Sequence, residues 1–505
     1  MFCSIPSCTL FGTSGAPVRV ETTLYSGLPN FYIVGLPDSI VRESKERIRS
    51  ALHSSGLPFP TKRITVNLAP AHLKKAGAAL DFPTAISILC AEGLLPHEEG
   101  SPLSEAMLIG ELSLNGELRP IPGALAMAYC ARNLGLRRLL LPSENAEEAA
   151  LLDGLEVIGI HTLTEAIHYL RGFCSLDSAP HQLPRLSVGD PSPLQAFMGQ
   201  PLTLRALSVS AAGMHPILLW GPPGTGKTMA AQSLCALLPP WTQEEFLETG
   251  AIYSSLGLPL PRERPFRAPH HTISISGLAG GGQPIHPGEI TLAHHGVLFL
   301  DELPEFSRSV LEVLRQPLEE HVIRIRRSHA SLALPADFLL IASMNPCPCG
   351  YYPDRSRCQC SDAQIQRYLG HLSGPLLDRL DLGVLLGNPD YEDLTPLPSG
   401  VVDTLRHSVL QAHAIQAKRY KDLPYQYNAH IPPADLSRFC FLSPEGESLL
   451  KAAYQHYKMS IRGMHRVLKI ARTLADLSGQ SAIGLPHLQE AIQLRCPDFQ
   501  SMISA

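Results

Sequence analysis

At 505 residues the chain is longer than one hydrophobic core usually organises, so roughly two to four domains are expected. Hydrophobic residues make up 45% and charged residues 17%, an ordinary globular balance, and no apolar stretch reaches the ~20 residues of a spanning helix, so no membrane partner is expected. A formal net charge of -5 excludes a uniformly basic nucleic-acid binder while leaving room for a local basic surface. The start, MFCSIPSCTLFG, lacks the basic and apolar regions of an export signal, and a cytoplasmic location is expected. Twelve cysteines are too sparse for a disulfide scaffold; four of them cluster between 347 and 360.

In chain order, residues 1–173 mix strand and helix signals. The stretch 38–56, DSIVRESKERIRSALHSSG, reads as a capped amphipathic helix, and RITVNL (63–68) as a strand. LSLNGEL carries Asn115-Gly116, a hairpin signal. LRRLLLP, NAEEAALLDG, LEVIGI and TEAIHYL then alternate strand, helix, strand, helix, giving an α+β or α/β unit. The Pro- and Ser-rich stretch 174–192 reads as a linker. Residues 193–390 hold three short apolar runs, PILLW (216–220), VLFL (297–300) and FLLIAS (338–343), suited to buried parallel strands. Residues 391–505 read as a helical domain, with Val467, Leu468, Ala471, Leu474 and Leu477 at helical spacing.

GPPGTGKT follows the run PILLW and precedes a helical stretch, the context a phosphate loop requires. Gly221, Pro222, Pro223, Gly224, Thr225 and Gly226 would turn backbone N–H groups toward phosphates, Lys227 would reach the β and γ oxygens, and Thr228 would help hold Mg²⁺. Asp301, at the end of VLFL, would organise the metal, and Glu302 beside it would polarise the attacking water. The bland alternative is an Asp-Glu helix cap. Asn345 ends the third run and would position that water. Arg379 would reach a neighbouring subunit's γ-phosphate, against a salt-bridged alternative. Arg462 or Arg466 would sense nucleotide, against surface positions.

Cys347, Cys349, Cys358 and Cys360 form C-x-C, eight residues, C-x-C. Four thiolates so spaced suit a closed, structural tetrahedral Zn²⁺; a reduced loop or a redox pair are the alternatives. The pairs His270-His271 and His294-His295 fit packing and loop hydrogen bonds better than a metal.

PFRAPHHTISISGLAGGG, PGEITLAHHGVLFLDELPEF, SMNPCPCG and SGPLLDRLD together resemble the ComM/YifB family of magnesium-chelatase-like AAA+ ATPases over essentially the whole chain. The resemblance implies an α/β P-loop core with a helical lid. It implies a homo-hexamer using ATP and Mg²⁺ on single-stranded and branched DNA, a helicase promoting branch migration of recombination intermediates in natural transformation, alongside recombination proteins. In related helicase rings a hairpin placed like 319–338 projects into the pore, so Arg324, Arg326 and Arg327 are expected on DNA; a charged edge that discourages aggregation is the alternative. GELSLNGELRPIPGALAMAYCARNLGLRRLLLPSEN resembles the Lon protease domain, an α+β fold. The serine and lysine of Lon-type chemistry fall on Ala79 and Leu125, so a noncatalytic relative is expected. A metal-insertion motor is the rival reading, set second because chelatase motors are expected to lack this front domain. A protein-remodelling ATPase is third.

Overall fold

A computed structural model describes residues 2–96, 101–186, 189–197, 200–282, 285–327, 330–387 and 398–495. The chain forms two compact units: Met1–Arg185 with Thr242–Pro261, and Leu186–Trp241 with Arg262–Ala505.

The first unit is built on a four-stranded sheet. Phe2–Phe11, Ser14–Tyr25 and Arg63–Ala69 pair antiparallel, and Asn30–Val34 adds a parallel edge. Alternation in Arg63–Ala69 buries Ile64, Val66 and Leu68, as a half-buried strand requires. Helix Ser39–Ser54 starts where Asp38 accepts the Val41 N–H at 2.8 Å and buries Val41, Ile48, Ala51 and Leu52. The Asn115-Gly116 turn joins the short antiparallel strands Glu111–Leu112 and Leu118–Arg119. Ala106–Leu108, Arg138–Pro142 and Glu156–Ile160 form a parallel three-stranded sheet.

Two expected boundaries shift. The stretch expected as a linker is partly pinned to the first unit: Ser178 bridges Ile158, the Ala179 N–H reaches the Val157 carbonyl at 2.8 Å, and His181 Nδ1 lies 2.8 Å from the Ala150 carbonyl. Residues 242–261, expected inside the ATPase core, join the first unit. There helix Gln243–Ser255, closed by a Thr242/Glu245 capping box, places Gly250 so close to Leu125 that an added Cβ would lie 3.1 Å from Leu125 Cδ2.

The second unit carries a five-stranded, all-parallel sheet in the order Phe266–Arg267, Val297–Leu300, Leu339–Met344, Ile217–Trp220, Leu382–Leu385. The three apolar runs are its centre and are buried throughout. The two outer strands went unread, although LGVLL carries an apolar signal. The expected division at 390 does not separate compact bodies. Helix Ile461–Leu477 shares one core with Leu207, Ile217 and Phe299, through Val467, Ile470, Ala471 and Leu474. Among the described residues no helix is long and apolar enough to cross a membrane.

Candidate nucleotide site

Strand Ile217–Trp220 delivers the chain into Gly221, where a side chain is forbidden: a Cβ would lie 2.2 Å from the Leu386 carbonyl oxygen. The loop then enters helix Lys227–Leu237, whose first-turn N–H groups have no partner one turn back. Lys227 Nζ donates to the Gly221 and Pro222 carbonyls at 2.8 Å each and to Asn345 Oδ1 at 3.1 Å. Burial lowers its pKa, opposed by the charges of Asp301 and Glu302.

Parallel pairing of Val297–Leu300 with Leu339–Met344 brings Asp301 beside the loop. Thr228 Oγ1 lies 3.5 Å from Asp301 Oδ2, so the two oxygen ligands expected for Mg²⁺ converge. The other Asp301 oxygen accepts from the Ser343 hydroxyl and, at 3.1 Å, from the Glu302 N–H. Glu302 adopts φ 54°, a left-handed conformation that a non-glycine residue holds at a cost, and stays exposed with His271 Nδ1 at 3.5 Å. Ser343 escaped the sequence reading, since hydroxyls are too common to single out until the sheet register places them, and His271, expected only in packing or a loop hydrogen bond, stands beside Glu302.

The arginines divide differently from expectation. Arg379 is nearly buried and committed within its own chain, to the Arg315 carbonyl at 3.2 Å, the Pro375 carbonyl at 2.5 Å and Glu319 at 2.7 Å. Arg466 is also occupied, by the Arg379 carbonyl at 2.8 Å and by Asp381. Asp381 is a buried charge hub: His215 Nδ1 is 2.7 Å from it, and His215 Nε2 meets Thr473 Oγ1 at 2.8 Å. Burial alone would raise its pKa, but Arg466, His215 and Lys469 hold it well below the carboxylate range. Arg462 is the exposed arginine, 3.7 Å from Glu319.

Strands Val322–Arg327 and Ala330–Pro335 form the expected antiparallel hairpin. Ile323, Leu332 and Leu334 are buried, while Arg324 and Arg326 are exposed, Arg324 with Glu320 at 3.3 Å. The Arg327 side chain lies outside the described residues. The four clustered cysteines converge, their sulfurs all within 4.8 Å of one another. Of the histidine pairs, His270 meets Thr272 Oγ1 at 2.9 Å and His294 Nδ1 accepts the Asp337 N–H at 3.1 Å.

In the first unit the positions of a Lon-type dyad hold no titratable group: Ala79 and Leu125 are both buried, and the Ala79 carbonyl is spent on the Gly110 N–H.

A parallel sheet in this order, with a phosphate loop after its fourth strand, Ile217–Trp220, the Asp-Glu pair after the next strand but one and a helical lid, defines a P-loop ATPase core of the AAA+ class. Three family models match in turn: subunit ChlI of Mg-chelatase at residues 20–145, magnesium chelatase subunit ChlI at 193–394, and its C-terminal part at 402–495. The chain is 40% identical over 493 residues to the uncharacterized protein YifB of Escherichia coli, covering 96% of each. It is 40% identical over 502 residues to the competence protein ComM of Haemophilus influenzae, covering 96% of this chain and 95% of that one. A shorter match, 29% over 196 residues, spans 33% of this chain and 35% of Lon protease 2 of Bacillus subtilis. The chain belongs to the ComM/YifB family of magnesium-chelatase-like AAA+ ATPases. Because a ChlI model matches residues 20–145, the front region does not discriminate against a chelatase motor as expected.

Proposed function

We propose that this chain is an ATP-driven hexameric helicase that promotes branch migration of recombination intermediates, with ATP and Mg²⁺ as cofactors and a structural Zn²⁺ on its four clustered cysteines. The observation that carries the reading is the convergence of Lys227, Thr228, Asp301, Glu302 and Asn345 in a chain whose full length resembles a competence protein. Residues 221–228 hold the phosphates, Thr228 and Asp301 hold the metal, Glu302 takes a proton from the attacking water and Asn345 orients it. Mg²⁺ bound there supplies charge neutralisation on the phosphates. Arg462, exposed at the start of its helix, senses the nucleotide. Arg379 completes a neighbour's site when phosphate replaces Glu319.

Arg324 and Arg326 meet the DNA backbone. Changing both to Ala is expected to weaken DNA binding and reduce the slope of log affinity against log salt by about 2; an unaltered slope sinks the assignment. The motor itself is tested with a labelled four-way junction. Strand products that require ATP and vanish in Lys227→Ala support it. Robust hydrolysis with no DNA binding turns the reading to metal insertion, which the descriptions of the three matching models favour.

A further inference from the structure

Cys347 Sγ lies 3.4 Å from Cys349 Sγ and 3.7 Å from Cys358 Sγ, and Cys349 Sγ lies 3.6 Å from Cys358 Sγ. A tetrahedral centre with Zn–S bonds of about 2.3 Å has sulfur–sulfur edges of about 3.8 Å. A disulfide would need about 2.05 Å. The spacing therefore fits four ligands of one ion. The loop also brings its own cations, Arg357 over the Tyr351 ring at 4.1 Å and Arg355 over the Tyr352 ring at 5.0 Å.

This knuckle touches the nucleotide loop. Gly350, at φ +85°, is so close to Pro223 that a Cβ would lie 2.6 Å from Pro223 Cδ. Two residues before Cys347, Asn345 accepts from Lys227 Nζ at 3.1 Å through its side chain.

We infer that Cys347, Cys349, Cys358 and Cys360 bind one Zn²⁺ as a closed structural site, and that the knuckle so formed braces the phosphate loop through Gly350 and Asn345, making nucleotide binding depend on zinc. The second half rests on reading residues 221–228 as the ATP site, and neither half depends on DNA being the substrate. With all four positions taken by protein, the ion has no open coordination site for water, so its role is to fix the loop.

Full-length protein purified without chelator is expected to carry about one zinc per chain, released by a thiol-blocking mercurial, and to take up Co²⁺ with a tetrahedral thiolate spectrum. Zinc at trace level together with no Co²⁺ uptake overturns the site. Stripped protein that keeps its circular dichroism is expected to bind a fluorescent ATP analogue about tenfold or more weakly, with recovery on Zn²⁺ and none on Mg²⁺ alone. Gly350→Ala is expected to keep its zinc and weaken the analogue to a similar degree. If zinc is present, yet stripped protein and Gly350→Ala both bind the analogue like the unmodified chain, the brace is overturned while the metal site stands. Lys227→Ala separates the readings: it is expected to keep zinc and lose the analogue, and analogue binding unchanged in that variant would overturn the ATP site on which the brace depends.

Discussion

Leu125, at the position where a Lon-type lysine would stand, is wholly buried against the helix around Gly250, and Ala79 stands buried at the serine position. In the second unit, Lys227 is drawn toward Asn345, Thr228 toward Asp301, and Glu302 is kept exposed in a left-handed conformation. One centre has turned its polar positions into apolar packing, worth about 2 kcal/mol for a buried leucine. The other holds charged groups together and keeps Glu302 at φ 54°, a backbone conformation that costs stability in a non-glycine residue. The contrast separates inherited architecture from working chemistry: both units keep the backbone of a catalytic fold, and the side chains tell them apart.

The sharpest way to break this contrast lies in the second unit. Glu302→Gln is expected to lower ATP turnover by about 10²–10⁴-fold while leaving nucleotide binding intact. Turnover within tenfold of the unmodified enzyme would move water activation to another group. In the first unit, Leu125→Lys should cost on the order of 3 kcal/mol, because it buries an ammonium where Leu125 now packs. Combining it with Ala79→Ser should yield no peptide hydrolysis. Denaturant titration and a fluorogenic peptide read the two effects, and peptide cleavage would reopen the protease reading.

The smallest effect is a difference in pH response. Burial pushes the His430 pKa down to about 4, opposed by the charge of Asp337. The folded state thus keeps His430 neutral, whereas the unfolded chain takes up the proton near 6.5. Its stabilising contribution is full above that value and falls by roughly 3 kcal/mol as pH drops toward 4. Asp81 in the first unit behaves oppositely. Burial raises its pKa to about 6 despite Arg47, so the fold is penalised above that value and relieved as pH falls toward 3.8. Thermal denaturation between about pH 7 and pH 5 should show a shallower acid loss in His430→Gln and a steeper one in Asp81→Asn. Identical slopes in all three chains would remove both groups as the cause.

Much of this was legible from residues 221–228, 297–302 and 338–345, because a phosphate loop is local: its turn, its lysine and the strand before it are contiguous. Helix Ser39–Ser54 and the Asn115-Gly116 hairpin were equally legible from a cap and a turn dipeptide. Arg379 was legible as an important arginine, but its partners within the chain were not, since Glu319 and the Arg315 carbonyl lie some sixty residues away in sequence. Greater separations, 166 and 258 residues, hid the contacts of His215 with Asp381 and Thr473.

By itself the sequence determined three of the buried strands, the start of helix Ser39–Ser54, and which residues can handle a phosphate or a metal, because periodicity, caps and turn chemistry act within a few residues. Only the tertiary structure decided that residues 242–261 belong to the first unit, that Leu382–Leu385 closes the sheet, and that four sulfurs come within reach of a single ion. Each of those outcomes is chosen by what packs against a segment, and an amphipathic pattern states that a face will be covered without stating by what.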